Sequence, residues 1–245
     1  MAETFSIIHL TETHSTNSAI AAYAKQYPAS TIVALYTDFQ TQGRGQQGNT
    51  WESNKGENIL LSLHFTPALP ANRQFEISKA VALGVMDFVK THTSLPIYIK
   101  WPNDIYVGNN KIAGILIENT LMGHQLCNCT VGIGLNVNQT QFSANIPNPI
   151  SLRNISGITY NIKECVHSLC TAVVHRYEQL LFHPEIINNE YLQHLYRLNE
   201  YHSYIYNEEQ ISAKITGVSD VGFLQLQTKV GNNIECDLCE IKYII

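Results

Sequence analysis

Hydrophobic and polar positions along the chain change period several times, and each change predicts an element. Thr4–Leu10, Thr31–Leu35, Asn58–Phe65 and Ile97–Lys100 are short apolar or alternating runs, and read as strands. Ser18–Lys25 is alanine-rich and follows several possible caps in Thr13-His14-Ser15-Thr16-Asn17, so a helix starts there. Gln74–Thr91 carries Ile77, Val81, Val85, Phe88 and Val89 near helical spacing. Ile105–Val107 and Ile112–Asn119 read as strands joined by a hairpin at Gly108-Asn109-Asn110. Met122-Gly123-His124 turns the chain again into a strand over Cys127–Asn138, where alternating Gly132 and Gly134 predict close approach of a ligand or of neighbouring backbone. Asn161–Phe182 is a long helix stopped by Pro184, and Glu185–Leu198 is another, with Tyr191, Leu195 and Leu198 as core positions. From Tyr201 the pattern breaks into short strands with turns at Asn207-Glu208, Ser219-Asp220 and Gly231-Asn232. These elements predict an α+β fold: a mixed, largely antiparallel sheet with helices packed on one face. A small β module over Glu200–Ile245 follows, giving domains 1–199 and 200–245.

Composition narrows the function classes. The 245 residues are 44% hydrophobic, enough for a substantial core, and carry a formal charge of −5 with no lysine- or arginine-rich run. That argues against a nucleic-acid surface. No apolar run reaches the roughly 18 residues of a membrane span. Met1-Ala2-Glu3-Thr4 opens no secretion signal, so the expected location is the cytoplasm. Six cysteines include the pair Cys127/Cys129 on one strand, the pair Cys236/Cys239, and Cys165 and Cys170 on a helix. The two close pairs could hold zinc, but the first lacks the spacing of a zinc knuckle. Buried reduced thiols are the expectation, with no structural metal.

Two stretches carry candidate chemistry. Phe39–Trp51 is a long loop after a strand, with Gly43, Gly45 and Gly48 around Arg44. Glycines free the backbone to approach a ligand, and Arg44 is placed to meet an anion or a carboxylate. A mobile surface loop would have the same composition. No Gly-Lys-Ser/Thr follows, which excludes a Walker-type loop, and Asn49–Asn58 is no helix start, which excludes the dinucleotide fingerprint. The second stretch is Lys100-Trp101-Pro102-Asn103-Asp104, followed by Lys111-Ile112-Ala113-Gly114-Ile115-Leu116-Ile117-Glu118. Lys111 reads either as a solvated hairpin lysine or as a fixed cation, and Asp104 either caps a turn or serves a site.

In order and spacing, Ser15-Thr16-Asn17, Gly43-Arg44-Gly45 and the Lys-Trp-Pro-Asn-Asp stretch resemble biotin protein ligases over about residues 15–138. The resemblance implies a class II aminoacyl-tRNA synthetase-like fold with a C-terminal SH3-like barrel. It implies biotin activation by ATP to biotinyl-5′-adenylate, then transfer to a lysine of a biotin carboxyl carrier domain of a carboxylase. On that resemblance Lys111, Asp104 and Arg44 are catalytic. Ser15, Thr16, Asn17, Gln40, Arg44, Gly45, Gln46, Lys111, Gly114 and Gly132 would bind biotin. Trp51, Lys100, Asn103 and Asn136 would serve ATP, with Lys100 alternatively pairing with Asp104. Asp104 would hold Mg2+, which needs only one or two carboxylates beside substrate phosphates. Many relatives carry a basic residue where this chain has Gln46 and near Asn49, which lowers the loop's cation charge. The pattern starts by Ser15, leaving no room for the N-terminal helix-turn-helix of regulatory members, so DNA binding is not expected. Lipoate or octanoate attachment on the same fold and a non-catalytic biotin sensor are the rival functions. A homodimer through a sheet edge is possible.

Overall fold

The computed structural model describes residues 5–67 and 69–244. Thr4 and Ile245, placed above in the first strand and the C-terminal module, lie outside the described residues. The main sheet has seven strands: β1 (Phe5–Leu10), β2 (Ile32–Thr37), β3 (Ile59–Phe65), β4 (Ile97–Lys100), β5 (Asp104–Val107), β6 (Asn110–Met122) and β7 (Gln125–Leu135). Their spatial order is β1-β2-β3-β7-β6-β5-β4. β1 runs parallel to β2, and every other neighbouring pair is antiparallel. The helices are α1 (Thr16–Ala24), α2 (Gln74–Lys90), α3 (Leu152–Ser156), α4 (Ile162–Phe182) and α5 (Pro184–Gln193). The second α5 boundary falls short of Leu198; Leu195 and Leu198 still pack on the core from the segment that follows.

The two faces of the sheet do different work. Strand residues alternate between faces. Ile59, Leu61, Leu63 and Phe65 of β3 join the main core with Ile77, Val81 and Val85 of α2 and Val166, Leu169 and Val173 of α4. Phe65 packs on Tyr177 of α4, with ring centroids 4.5 Å apart. The three longest helices therefore share one face, as the pattern predicts. The short α1 lies on the other face, where Ser62 of β3 meets its Thr16 and Asn17. This second face, shielded only in part, is the one left open for a ligand.

The C-terminal strands β8 (Tyr201–Tyr206), β9 (Glu209–Val218), β10 (Leu224–Thr228), β11 (Asn233–Cys236) and β12 (Ile241–Tyr243) form an antiparallel sheet in the order β11-β10-β9-β8-β12. Asn207 and Glu208 both take positive φ, which suits the tight turn between β8 and β9. All six cysteines are free. Cys129, Cys165, Cys170 and Cys236 are buried, but Cys127 is half-buried and Cys239 is exposed, so buried thiols describe only four of the six. Among the described residues no three His, Cys, Asp or Glu side chains converge to hold a metal ion. Nor is any described helix long and apolar enough to cross a membrane.

Candidate active site

A cleft of about 410 Å³ opens on the face that carries α1. Its floor is a row of residues paired across four strands: Lys100 with Asp104, Asp104 with Gly114, and Gly114 with Gly134. Simple alternation would put Lys111 on the opposite face from Gly114. The pairing skips, however: Ile105 faces Ala113, while Tyr106 faces Lys111, leaving Ile112 as an extra residue. Such a bulge re-aims the side chains beyond it. Lys111 thereby turns onto the cleft face, and its Nζ lies 2.7 Å from Asp104 Oδ1. Ile112 is fully buried in the main core, which anchors the bulge. Asn103 donates its side-chain amide to the Ile115 carbonyl, and its own carbonyl accepts from the Ile115 N–H at 3.1 Å. These bonds fix Asp104, the next residue, against β6.

The floor glycines let side chains of this chain come close to the backbone. A β-carbon at Gly134 would collide with the Trp51 indole, and one at Gly114 would sit 3.0 Å from Trp51 Cζ3 and 3.3 Å from Lys111 Nζ. At Gly132 a β-carbon would lie 2.5 Å from Asn17 Oδ1. Trp51 thus rests on the floor with Lys111 Nζ 5.6 Å from its ring centroid, a cation–π distance. Its Nε1 is buried without a partner.

The opposite end of the cleft is polar. Ser15 occupies the N-cap position of α1 but makes no side-chain capping bond. Thr16 instead donates its N–H and its hydroxyl to Gln40 Oε1, at 2.7 and 3.1 Å. The single Ser62 proton has two acceptors, Thr16 Oγ1 at 2.7 Å and Asn17 Oδ1 at 2.5 Å. The Asn17 amide donates to Glu118 Oε2 (2.8 Å) and to the Leu116 carbonyl (3.3 Å). Buried polar side chains that satisfy one another are rigid, and their remaining valences point where a ligand must meet them.

The Phe39–Trp51 loop folds back on itself. Trp51 N–H donates to Gly43 O, and Gly45 N–H to Asn49 O, around a short 3-10 turn at Gln46–Gly48. Of the three loop glycines only Gly48 takes a positive φ. Gly43 is needed for closeness, since a β-carbon there would lie 2.5 Å from the Trp51 carbonyl oxygen. Arg44 reaches Glu118 at 3.0 Å, and both side chains are nearly half exposed.

The far wall comes from the C-terminal sheet: Leu238, Cys239, Ile241, Lys242 and Tyr243 line the same cleft. Gln47 donates to Cys239 Sγ at 3.1 Å. The Trp101 indole N–H donates to the Gly222 carbonyl at 2.9 Å. Lys100 Nζ lies over the rings of Tyr243 (4.7 Å) and Tyr106 (5.3 Å). Burial lowers the Lys100 pKa, the nearby Lys111 and Arg197 lower it further, and Asp104 opposes them. Burial also pushes the Tyr106 phenol up to about 12. Arg44, Lys100, Lys111 and Lys242 line the cleft with Asp104 as the one carboxylate among the described lining residues. A chain of net charge −5 therefore concentrates four cations against one anion here, the electrostatics of an anion site.

Every residue that the sequence assigns to the site lines this cleft except Asn136. Asn136 is buried, donates its amide to Ile150 O at 3.0 Å and its N–H to Ile112 O at 2.9 Å. It fastens the Ile150 segment to the bulge behind Lys111. His64, on β3, bonds Thr130 Oγ1 through Nδ1. Sequence reasoning missed Gly134 as the Trp51 seat, Glu118, and the whole C-terminal wall. The wall has no local signal: its residues reach the cleft through contacts such as Gln47–Cys239, 192 positions apart.

Residues 8–136 match the model of the biotin/lipoate A/B protein ligase family. The bifunctional ligase/repressor BirA of Bacillus spizizenii is 34% identical over 112 residues, 46% of this chain and 34% of that protein. Biotin–protein ligase 1 of Arabidopsis thaliana is 36% identical over 135 residues, 52% of this chain and 35% of that protein. The matched segment thus spans about a third of those relatives. Over nearly the whole length, the biotin protein ligase of Aquifex aeolicus, solved with biotin and ATP, superposes with a TM-score of 0.78 at 25% identity, covering 98% of this chain and 99% of that one. The ligase of Leishmania major, solved with biotinyl-5-AMP, shares the fold at TM-score 0.62 and 19% identity over 95% of this chain and 98% of that one. With the family's matched segment covering the slot, the loop and the Lys100–Glu118 floor, the chain belongs to the biotin/lipoate A/B protein ligase family.

Proposed function

We propose that the protein is an ATP-dependent biotin–protein ligase that activates biotin as biotinyl-5′-adenylate and transfers it to a lysine of a biotin carboxyl carrier domain. The observation that carries this reading is the two-ended cleft: a polar slot at Ser15–Asn17 and Ser62, and four lining cations, of which Lys111 pairs with Asp104 and Arg44 with Glu118. The slot suits a ring with hydrogen-bonding groups. The cations suit a carboxylate that meets the α-phosphate of ATP. Lys111, held by Asp104, stabilises the charge that develops as the biotin carboxylate attacks that phosphorus and pyrophosphate leaves. The carrier amine then attacks the acyl carbon and AMP departs. Magnesium would arrive on the nucleotide phosphates, and Asp104 is the lining carboxylate that fits it. Such chemistry, on an intracellular carrier and with cellular ATP, belongs in the cytoplasm. Residues 200–245 act in this reading as a second domain whose wall completes the nucleotide end.

Lipoate attachment on the same fold is the second reading; a dithiolane ring offers no hydrogen-bond donors to the slot. The test is the mass of a biotin carboxyl carrier domain, and of a lipoyl domain, after incubation with the protein, ATP, magnesium and either acid. A biotinyl mass gain on the carrier lysine is expected. A lipoyl gain alone would replace the reading with the second one, and no gain with biotin still bound would make the protein a sensor.

A further inference from the structure

Glu118 does not line the cleft, yet one of its oxygens holds two groups that do. Oε2 accepts from Asn17 Nδ2 at 2.8 Å and from Arg44 Nη2 at 3.0 Å. Asn17 is buried, and its amide also donates to the Leu116 carbonyl. An ionised carboxylate only accepts, so it can face the NH2 side of an amide and not the oxygen side. Flipping Asn17 would bring two acceptors within 2.8 Å of each other, and would turn its NH2 toward the Ser62 hydroxyl over Gly132. The orientation of an amide is set by such a network. Two members of this network cannot reverse their roles, the Leu116 carbonyl at 3.3 Å and Glu118 at 2.8 Å, and Glu118 makes the shorter, charge-assisted bond.

We propose that Glu118 is a positioning residue that sets the hydrogen-bond polarity of the ring slot, holding Asn17 with Oδ1 as an acceptor and so selecting ligands whose ring carries N–H donors. The inference rests on the biotin reading and deepens it: a cyclic urea gives Oδ1 a donor of its own, whereas a dithiolane or thiophane ring leaves it only the Ser62 hydroxyl that it shares with Thr16. Leaving a buried acceptor unmatched is what makes polar sites discriminate strongly. The same Glu118 oxygen binds Arg44, so the ring slot and the loop share one anchor. That ion pair is nearly half exposed and contributes little alone. The Asn17 bond, made by a buried amide, carries the larger part.

The experiment compares wild type, Glu118→Gln and Glu118→Asp by calorimetry with two ligands, biotin and the tetrahydrothiophene pentanoate that lacks the urea. Glutamine keeps the shape but can present an NH2 to Asn17, so only the longer bond to the Leu116 carbonyl still opposes a flip. Aspartate remains an acceptor only. Glu118→Gln should weaken biotin by about three- to tenfold, the range of one charge-assisted bond partly screened by solvent. The urea-free ligand should bind all three proteins alike, and Glu118→Asp should recover part of the preference for biotin. The KM for ATP and the melting temperature should stay at their wild-type values. Wild type that binds no biotin would overturn the functional reading itself. Wild type that binds biotin, with Glu118→Gln losing both ligands equally or neither, would overturn the role of Glu118.

Discussion

The two ends of the cleft are built on different plans. The ring end is assembled from side chains that satisfy one another: Thr16 on Gln40, Ser62 on Thr16 or Asn17, Asn17 on Glu118. The nucleotide end is assembled from cations set between two sheets, with Lys100 between Tyr106 and Tyr243, Lys111 on Asp104, and Lys242 on the C-terminal wall. A mutually satisfied network gives direction, and so specificity, with little cost on binding. A cluster of cations gives attraction without direction, and it repels itself until an anion arrives. In the proposed function, specificity would reside at the ring end and catalytic power at the other, and damage to each should be read out differently.

The largest effect should come from the catalytic end. Lys111→Ala removes the cation aimed by the bulge and frees Asp104. A charge-assisted contact contributes roughly 1.5–3 kcal/mol, so adenylate formation should fall by about ten- to a hundredfold or more, with biotin affinity changing less. Pyrophosphate release at the wild-type rate from a folded Lys111→Ala protein would remove Lys111 from the chemistry. Next comes the seam between the sheets. Gly222 holds φ at +104° and packs on Phe75, where a β-carbon would lie 2.7 Å from Cδ2, while its carbonyl accepts from Trp101. Gly222→Ala should strain this turn by about 1–3 kcal/mol and lower the melting temperature by several degrees. Because Trp101 leads into Asp104, the ATP KM should rise while biotin affinity holds. An equal loss of both would mean the two ends are not separable.

A proton count sharpens the contrast. Burial holds the Lys100 pKa below its ordinary value, and a phosphate beside it would raise it again. Nucleotide binding at alkaline pH should therefore take up protons, seen as a binding heat that varies with the ionisation enthalpy of the buffer. The uptake should vanish toward neutral pH, where the ammonium is already formed, and should disappear in Lys100→Met. Biotin binding should show no such dependence on buffer. Uptake that persists in Lys100→Met would assign the titration to another group.

This division also explains what was legible in the sequence. Ser15–Asn17, Gly43–Gly45 and Lys100–Lys111 are local strings, and their residues reach the cleft from the elements the hydrophobic pattern predicts. The bulge at Ile112 was not legible, because alternation assigns Lys111 to the wrong face and only the pairing with β5 corrects it. Gly134 reads as a site of close approach, but that Trp51 occupies it depends on the loop folding back through Gly43. Asn136, just past the end of β7, bonds the Ile150 carbonyl, a partner 14 positions away that no local string announces. The C-terminal wall is set by long-range docking, and nothing within Leu238–Tyr243 announces it.

The smallest effect concerns Gln46, on the loop that joins the two ends. Gln46 lines the cleft beside Gly45 and starts the 3-10 turn whose next residue, Gln47, touches Cys239 of the far wall. A glutamine there offers hydrogen bonds but no charge, so in the proposed function Arg44 would be the loop's one cation for an adenylate phosphate. Ordering such a loop costs about 1 kcal/mol or more per residue, and bonds made only in the closed state must offset that cost. Gln46→Arg adds one cation at a solvent-facing site, where an ion pair contributes up to about 1 kcal/mol, so adenylate escape should slow by about two- to fivefold. Gln46→Gly removes the side chain's bonds and raises the entropy of the open loop, so escape should quicken by a similar factor. Lys242 already lines the cleft from the opposite wall, which is why the gain from a further cation is small. The measurement is the release rate of preformed biotinyl-adenylate, chased with excess biotin, in the three proteins. Identical rates would place the grip on the adenylate entirely in Lys111, Arg44 and the wall, and would leave the loop as a cover that closes without holding.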